Sequence, residues 1–268
     1  MALVSLNLIT IQPTPFARKL QIAAEVGYRG IGLWTEETDR LLAAGARLTD
    51  IIAVLKHYRL AVSELCRVDG WMYAEGKERA AAEARARRAC RLAEFLGAEC
   101  VVATPSLLAG DLELAAVDFA ALCHLARGFG CRVGLEFVGR AQGVRDLATA
   151  WQVVGGADLP NGGLVIDSFH FHQGGSRSSD LANIPPERIF LVQVSDCLPL
   201  PPGELEDKDR LFPGMGAAAL PELVGALRGI GYQGWWSLEL SNPDYWQADP
   251  FVVAQDGWHA LKRLDIVR

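Results

Sequence analysis

Four stretches of the chain repeat one phrase: AAEVGYRGIGLW (residues 23–34), AEFLGAECVVATP (93–105), ARGFGCRVGLEFV (126–138) and LRGIGYQGWWSLEL (227–240). In each, a helical run ends in glycine, a short polar step follows, and an apolar run of strand length begins. The glycine suits the left-handed cap that closes a helix, and the step fits a tight helix-to-strand loop. Strands alternating with helices of roughly 10 to 20 residues indicate βαβ units and a parallel sheet.

Carried outward along the chain, the same reading predicts eight strands: Val4–Thr10, Gly30–Trp34, Ala61–Arg67, Cys100–Thr104, Arg132–Val138, Gly163–Phe169, Ile189–Asp196 and Trp235–Leu240. Helices are expected at Pro15–Val26 (with Thr14 as N-cap and Pro15 in the first turn), Thr49–Tyr58, Lys77–Leu96, Asp111–Gly128, Arg145–Val154, Leu220–Gly229 and Pro250–Leu264. A sixth in chain order, near Ser178–Ala182, carries the weakest signal. Eight of each fit a closed α/β (β/α)8 TIM barrel better than a doubly wound sheet, which typically has about five or six strands. The 268 residues admit one domain or two by length alone. No linker rich in Pro, Gly or Ser divides them, and Pro199–Pro202 falls between the seventh strand and its helix. The expectation is a single TIM-barrel domain over residues 1–268.

Composition narrows the function. Half of the residues are hydrophobic and the net charge is −6, so a large core is available. That charge argues against a nucleic-acid partner, because phosphates need clustered Lys and Arg. No apolar run approaches the ~20 residues of a membrane helix. Met1–Ile11 lacks a basic start and a cleavage site. The six cysteines are widely spread without a C-x-x-C pair, and they read as reduced packing residues. A cytoplasmic protein is expected, and a homo-oligomer is compatible with it.

In such a barrel the active site is built at the C-terminal strand ends. Polar residues near the ends of apolar strands therefore stand out: Glu136 in VGLEFVG, Asp167 in GLVIDSFHF, Gln193 in FLVQVSD and Glu239 in WWSLELS. They come from strands five, six, seven and eight, neighbours on one side of a barrel. Burying an unpartnered carboxylate costs several kcal/mol or forces it to take up a proton, and converging carboxylates repel. A cation resolves both problems. The alternative is that each pairs separately with a base, yet the strands offer only Arg67 and Arg132, both at strand ends. A donor set made almost wholly of oxygen favours Mn²⁺ or Mg²⁺; Zn²⁺ or Co²⁺ are the alternatives, zinc if a histidine joins.

The runs CRVGLEFVG, GLVIDSFHFHQGGS, LEDKDRLFPGMGA and WWSLELSNPDYW resemble the xylose isomerase-like barrel superfamily of sugar isomerases and epimerases, and within it are most similar to the inosose (2-keto-myo-inositol) isomerases. The similarity extends from about Lys77 to Trp246. It implies that Glu136, Asp167 and Glu239 are metal ligands and that His170 polarises the substrate beside the metal. Where those isomerases carry a histidine ligand on strand seven, this chain has Gln193, which is similar to the 3-dehydroshikimate dehydratases of the same superfamily.

His170 and His172 stand three and five residues after Asp167, offsets that in a continuing strand would face away from it. His172 reads as a supporting or loop residue, and His57, His124 and His259 as surface or packing residues on helices. Arg210, in KDRLFPGMG, is placed to grip a hydroxyl or oxyanion of a substrate, against the alternative of a surface ion pair with Asp207 or Asp209. Glu64 and Asp196 are further candidates for substrate binding. Trp34 and Trp71 are candidates to stack on a ring, against plain packing beneath helices. Of the adjacent Trp235 and Trp236, one is expected inside the barrel. Gly174–Ser176 is only a weak phosphate signal.

Together these residues suggest a metal-dependent isomerase or epimerase of a polyol ketone or ketose. The metal would polarise a carbonyl and stabilise an enediolate while Glu136 and Glu239 divide the base and acid roles. Dehydration by a 3-dehydroshikimate dehydratase-type lyase shares the enolate and is the alternative. A multi-zinc nuclease on this barrel would need more than five histidines and a basic face. A binding protein without turnover would not need the glutamate pair.

Overall fold

The computed structural model describes residues 3–267. Its strands are β1 (Leu3–Asn7), β2 (Gly30–Trp34), β3 (Ala61–Val68), β4 (Val101–Ala103), β5 (Val133–Glu136), β6 (Gly162–Asp167), β7 (Ile189–Val194), β8 (Asp196–Cys197), β9 (Arg210–Leu211) and β10 (Trp235–Leu238). The helices are α1 (Phe16–Val26), α2 (Thr35–Ala43), α3 (Leu48–Tyr58), α4 (Gly76–Leu96), α5 (Leu112–Arg127), α6 (Leu147–Ala157), α7 (Ser168–Gln173), α8 (Leu220–Gly229), α9 (Pro243–Gln247) and α10 (Pro250–Arg263). Eight strands pair in parallel and close on themselves in the order β1-β10-β7-β6-β5-β4-β3-β2. The short β8 and β9 form a separate antiparallel ribbon within the β7-to-α8 connection.

The repeated phrase folds in one way at all four places. The N–H groups of Tyr28, Ala98, Cys131 and Tyr232 donate to the carbonyls of Ala23, Ala93, Ala126 and Leu227, each five residues back. This is the 6→1 bond that closes a helix end and aims the chain back toward the sheet. The left-handed residue is Gly27 (φ 117°) and Gly97 (φ 67°) in the first two, and Gly130 (φ 68°) and Gly231 (φ 84°) in the others.

Strand residues alternate between two cores. Leu164, Ile166, Val192, Trp236 and Leu238 join the large cluster under the helices. Their neighbours Val165, Leu191 and Trp235 join Cys66, Cys100 and Val102 in a smaller cluster inside the barrel. Trp235 is therefore the inward tryptophan and Trp236 the outward one. A Cβ at Gly30 would come within 2.6 Å of the Trp235 ring, so glycine there makes room for the indole. All six cysteines are buried free thiols. Among the described residues no helix is long and apolar enough to cross a membrane.

Several boundaries differ from the sequence reading, each for a local reason. The first strand stops at Asn7 rather than Thr10, because the Asn7 side chain accepts from Ile9 N–H and starts the 3-10 turn Leu8–Ile11. Helix α1 begins after Pro15 without a side-chain cap, so Thr14 does not cap it. Helix α2 and the short α7 and α9 were not anticipated, and the weak sixth helix is a 3-10 segment at Ser178–Asn183. The sixth strand ends at Asp167, not Phe169, because the Asp167 carboxylate caps α7, accepting from the N–H groups of Phe169 (2.7 Å) and His170 (3.3 Å).

Candidate active site

The C-terminal ends of the barrel strands open into a cavity of about 200 Å³ lined by Trp34, Arg67, Glu136, His170, Arg210 and Glu239, with Asp207 and Arg140 among its rim residues. The helical turn after Asp167 decides its composition. Had the strand continued, His170 would have faced away. Because α7 starts at Ser168, His170 comes back over the strand end. Ligating atoms of Glu136, Asp167 and His170 all lie within 4.8 Å of one another. His170 Nε2 is 3.8 Å from a Glu136 oxygen. Its Nδ1 faces Gln173 Oε1 at 3.4 Å, and Gln173 spends its own N–H on the Leu205 carbonyl. The proton therefore belongs on Nδ1, which leaves the Nε2 lone pair directed at the cavity. Burial lowers the His170 pKa and keeps the ring neutral.

Glu239 lines the same cavity, with one oxygen buried and without a hydrogen-bond partner. Burial, then repulsion from Asp167, pushes the Glu136 carboxyl up to about 8. Burial likewise raises Glu239, with Glu136 and Asp167 adding to it and Arg210 opposing. Among the described residues neither glutamate has a Lys or Arg ion pair. Gln193 lies beside Asp167 across the β6–β7 pairing. It is buried with both amide atoms unpartnered, and it does not belong to the tight set of three.

Arg210 departs most from the sequence expectation. It lines the cavity but is buried, and the expected ion pair with Asp207 (Nη2 at 3.6 Å) is joined by a shorter one inside the site. Its guanidinium is 3% exposed and Nη1 lies 2.8 Å from Asp167 Oδ2. It donates to Ser195 Oγ at 3.0 Å and packs 4.5 Å from the centre of the Phe169 ring. Despite burial, the carboxylates of Asp167, Glu239 and Asp207 hold it firmly charged. The dispersed-ion-pair alternative thus holds for Asp167 alone, with a base supplied by the β8–β9 ribbon rather than by a barrel strand.

Three candidates for substrate contact are placed elsewhere. Glu64 is fully buried below the cavity, accepting from Ser63, Ser237 and Asn7, and burial raises its pKa. Trp71 follows the turn at Gly70, leaves the barrel mouth, and packs on Phe119 beside α4 and α5, 5.8 Å between rings. Asp196 is consumed by backbone: it accepts from the N–H groups of Cys197, Gly214 and Ala218, which pins the loop before α8. Trp34 does line the cavity, with Arg67 5.6 Å from its ring centre. His172 lies outside the cavity, and His57, His124 and His259 are exposed on helices. Arg140 and Thr104 at the cavity were missed; the signal available was a polar residue just past an apolar strand.

The chain is thus a closed (β/α)8 barrel whose C-terminal mouth gathers buried carboxylates, an imidazole and a guanidinium around one cavity. The chain belongs to the xylose isomerase-like TIM barrel family, whose sequence profile matches residues 20–263. It is 36% identical over 162 residues to an inosose isomerase of Halalkalibacterium halodurans, 58% of this chain and 57% of that protein. It is 35% identical over 178 residues to the inosose isomerase of Bacillus subtilis, 64% of this chain and 63% of that protein. The matched segment thus spans about three fifths of the length of these curated relatives. A 3-dehydroshikimate dehydratase of Pseudomonas aeruginosa is 33% identical over 186 residues, 68% of this chain but 29% of that protein. In fold, the chain is similar to the crystal structure of IOLI protein with a binding zinc atom, with a TM-score of 0.93 over 98% of both chains at 24% identity.

Proposed function

We propose that the chain is a divalent-metal-dependent isomerase or epimerase of a polyol ketone or ketose, inosose-like, working as a single barrel domain in the cytoplasm. The observation that carries this reading is the pair Glu136 and Glu239: two buried carboxyls lining one cavity, both with raised pKa and neither paired with a base. The similarity to inosose isomerases supports the substrate class.

The residues fit a divalent ion. Carboxylates and a lone-pair nitrogen converge within 4.8 Å, and buried oxygens of Glu239 and Gln193 lack partners. Glu136, Asp167 and Glu239 would hold it, with Gln193 Oε1 as the remaining donor and His170 Nε2 left free beside it. An all-oxygen donor set favours Mn²⁺ or Mg²⁺, with Co²⁺ and Zn²⁺ as alternatives. When bound, such an ion supplies Lewis-acid polarisation of a carbonyl oxygen.

The chain's own residues supply the proton traffic. One of Glu136 and Glu239 takes the proton α to the carbonyl and the other returns one to the adjacent carbon; burial raises both carboxyls above the ordinary carboxylate range. His170 Nε2, unprotonated, accepts a proton from a substrate hydroxyl. Arg210 fixes the orientation of Asp167, and Trp34 offers a flat wall to a ring. At about 200 Å³ the cavity takes one small molecule.

A second reading, a 3-dehydroshikimate dehydratase-type lyase, is favoured by Gln193 and by the guanidinium groups of Arg67, Arg140 and Arg210 along the cavity, which would receive a carboxylate. One experiment separates the two. The Mn²⁺-loaded protein is given an inosose and, separately, 3-dehydroshikimate, with products followed by NMR and ultraviolet absorbance. Conversion of the cyclitol ketone to an isomer supports the first reading. An aromatic product from the acid alone replaces it with the second, and no turnover of either sinks both.

A further inference from the structure

Directly beneath the cavity lies a layer of fully buried polar side chains: Asn7 on β1, Ser63 and Glu64 on β3, and Ser237 on β10. No Lys or Arg pairs with Glu64 among the described residues, and a leucine would fill its place at lower desolvation cost. The fold makes room for it nonetheless. A Cβ on Gly32 would come within 2.6 Å of Glu64 Cδ and 2.9 Å of Asn7 Nδ2, so only glycine leaves space there for the carboxyl and the amide.

The hydrogen bonds run in one direction. Ser237 Oγ donates to Glu64 Oε1 at 2.7 Å, and Asn7 Nδ2 donates to the same oxygen at 3.2 Å. Ser63 Oγ closes the other carboxyl oxygen. With its NH₂ so engaged, Asn7 presents its Oδ1 to the Trp34 indole N–H at 2.8 Å and to Ile9 N–H at 3.1 Å. Were Glu64 absent, the Asn7 NH₂ would lose its buried carboxylate acceptor, and the amide would be held chiefly from its Oδ1 side, looser against the indole. Strand alternation adds a second link, since Ser237 and Glu239 share a face of the barrel two residues apart.

We propose that Glu64 and Asn7 are positioning residues: Glu64 anchors the Asn7 amide, and Asn7 locks the Trp34 indole as the ring-facing wall of the cavity. The proposal rests on the functional reading only in assigning that wall to substrate; the lock itself is independent of any reaction.

The test has two arms. In ¹⁵N-labelled, metal-loaded protein the indole N–H signal of Trp34 is assigned by its loss in Trp34→Phe. In Asn7→Ala and Glu64→Leu it should move and exchange with solvent faster, while the other six indole signals hold. Glu64→Gln keeps an acceptor oxygen and should restore it. With a substrate in hand, Asn7→Ala should raise KM about tenfold with kcat within about twofold, and by less than about twofold in a Trp34→Phe background. An unmoved Trp34 signal in Asn7→Ala overturns the proposal, as does an equal shift of all seven indoles or additive KM effects. If Glu64→Leu does not fold, Asn7→Ala and Glu64→Gln decide alone. Absence of turnover in the parent protein fails the functional reading, and the indole arm still decides the lock.

Discussion

Glu136 is the residue at which the electrostatics of the site are most open to measurement. Its carboxyl, ordinarily near 4.5, is pushed up to about 8 by burial and by Asp167. In the metal-free protein the native state therefore binds a proton that the unfolded chain releases between these values. Its stabilising contribution is complete below about 4.5 and is lost as pH rises through about 8. Thermal unfolding without metal should show Tm falling across that window, and Glu136→Gln should flatten the slope; a Tm that climbs from pH 5 to 8 in both contradicts the assignment. A divalent ion must displace the same proton, so Mn²⁺ affinity should rise by at least roughly tenfold per pH unit up to about 8, measured by titration with EPR detection. At Gln193, replacement by His supplies a nitrogen where an amide now lies unpartnered. Competition titration should then show Zn²⁺ gaining on Mn²⁺ by on the order of tenfold. Unchanged selectivity would mean that this position does not reach the ion.

The elements that carry these residues owe their limits to single side chains. Asp167 ends β6 and starts α7 with one carboxylate, which turns His170 into the site instead of out of it. Nothing in the spacing of VIDSFHF distinguishes a continuing strand from a capped turn, because both His and Phe suit either. That is why the strand was expected to run to Phe169 and the role of His170 came from family resemblance. The glycine-ended phrases were legible for the opposite reason: a left-handed glycine followed by an apolar run has few other solutions, and all four form the same backbone bond. Helix α6 tests whether such local devices act independently of the site. Asp146 accepts from Thr149 N–H at 2.8 Å while the Thr149 hydroxyl bonds back to Asp146 N–H, a reciprocal cap. Asp146→Ala should lower unfolding free energy by about 1 kcal/mol in urea titration, with metal affinity unchanged. A loss of metal binding would mean that the helix start and the barrel mouth are coupled.

Across the whole molecule, the closed ring of eight parallel strands brings β5, β6, β7 and β10 side by side, so that residues 103 positions apart in sequence, Glu136 and Glu239, share one cavity. This convergence was readable from sequence because a carboxylate at the end of an apolar strand is costly and conspicuous. Contacts made by loops were not: Arg210 reaches Asp167 through the β8–β9 ribbon, and Trp71 turns away at Gly70, by backbone geometry that composition does not encode. The excess of acid is thus partly local, answered inside the site by one guanidinium and by room for a cation. The proposed function turns on one transfer, a proton moved by Glu136 and Glu239 at a carbon beside a carbonyl. Its most direct test is the Mn²⁺-loaded protein in D₂O with an inosose, followed by NMR. Solvent deuterium should enter the α-carbon in the parent protein and fall by at least about a hundredfold in at least one of Glu136→Gln and Glu239→Gln, each keeping its fold and metal. Exchange undiminished in both variants, or none in the parent protein at full metal occupancy with any cyclic ketone or ketose offered, would contradict it.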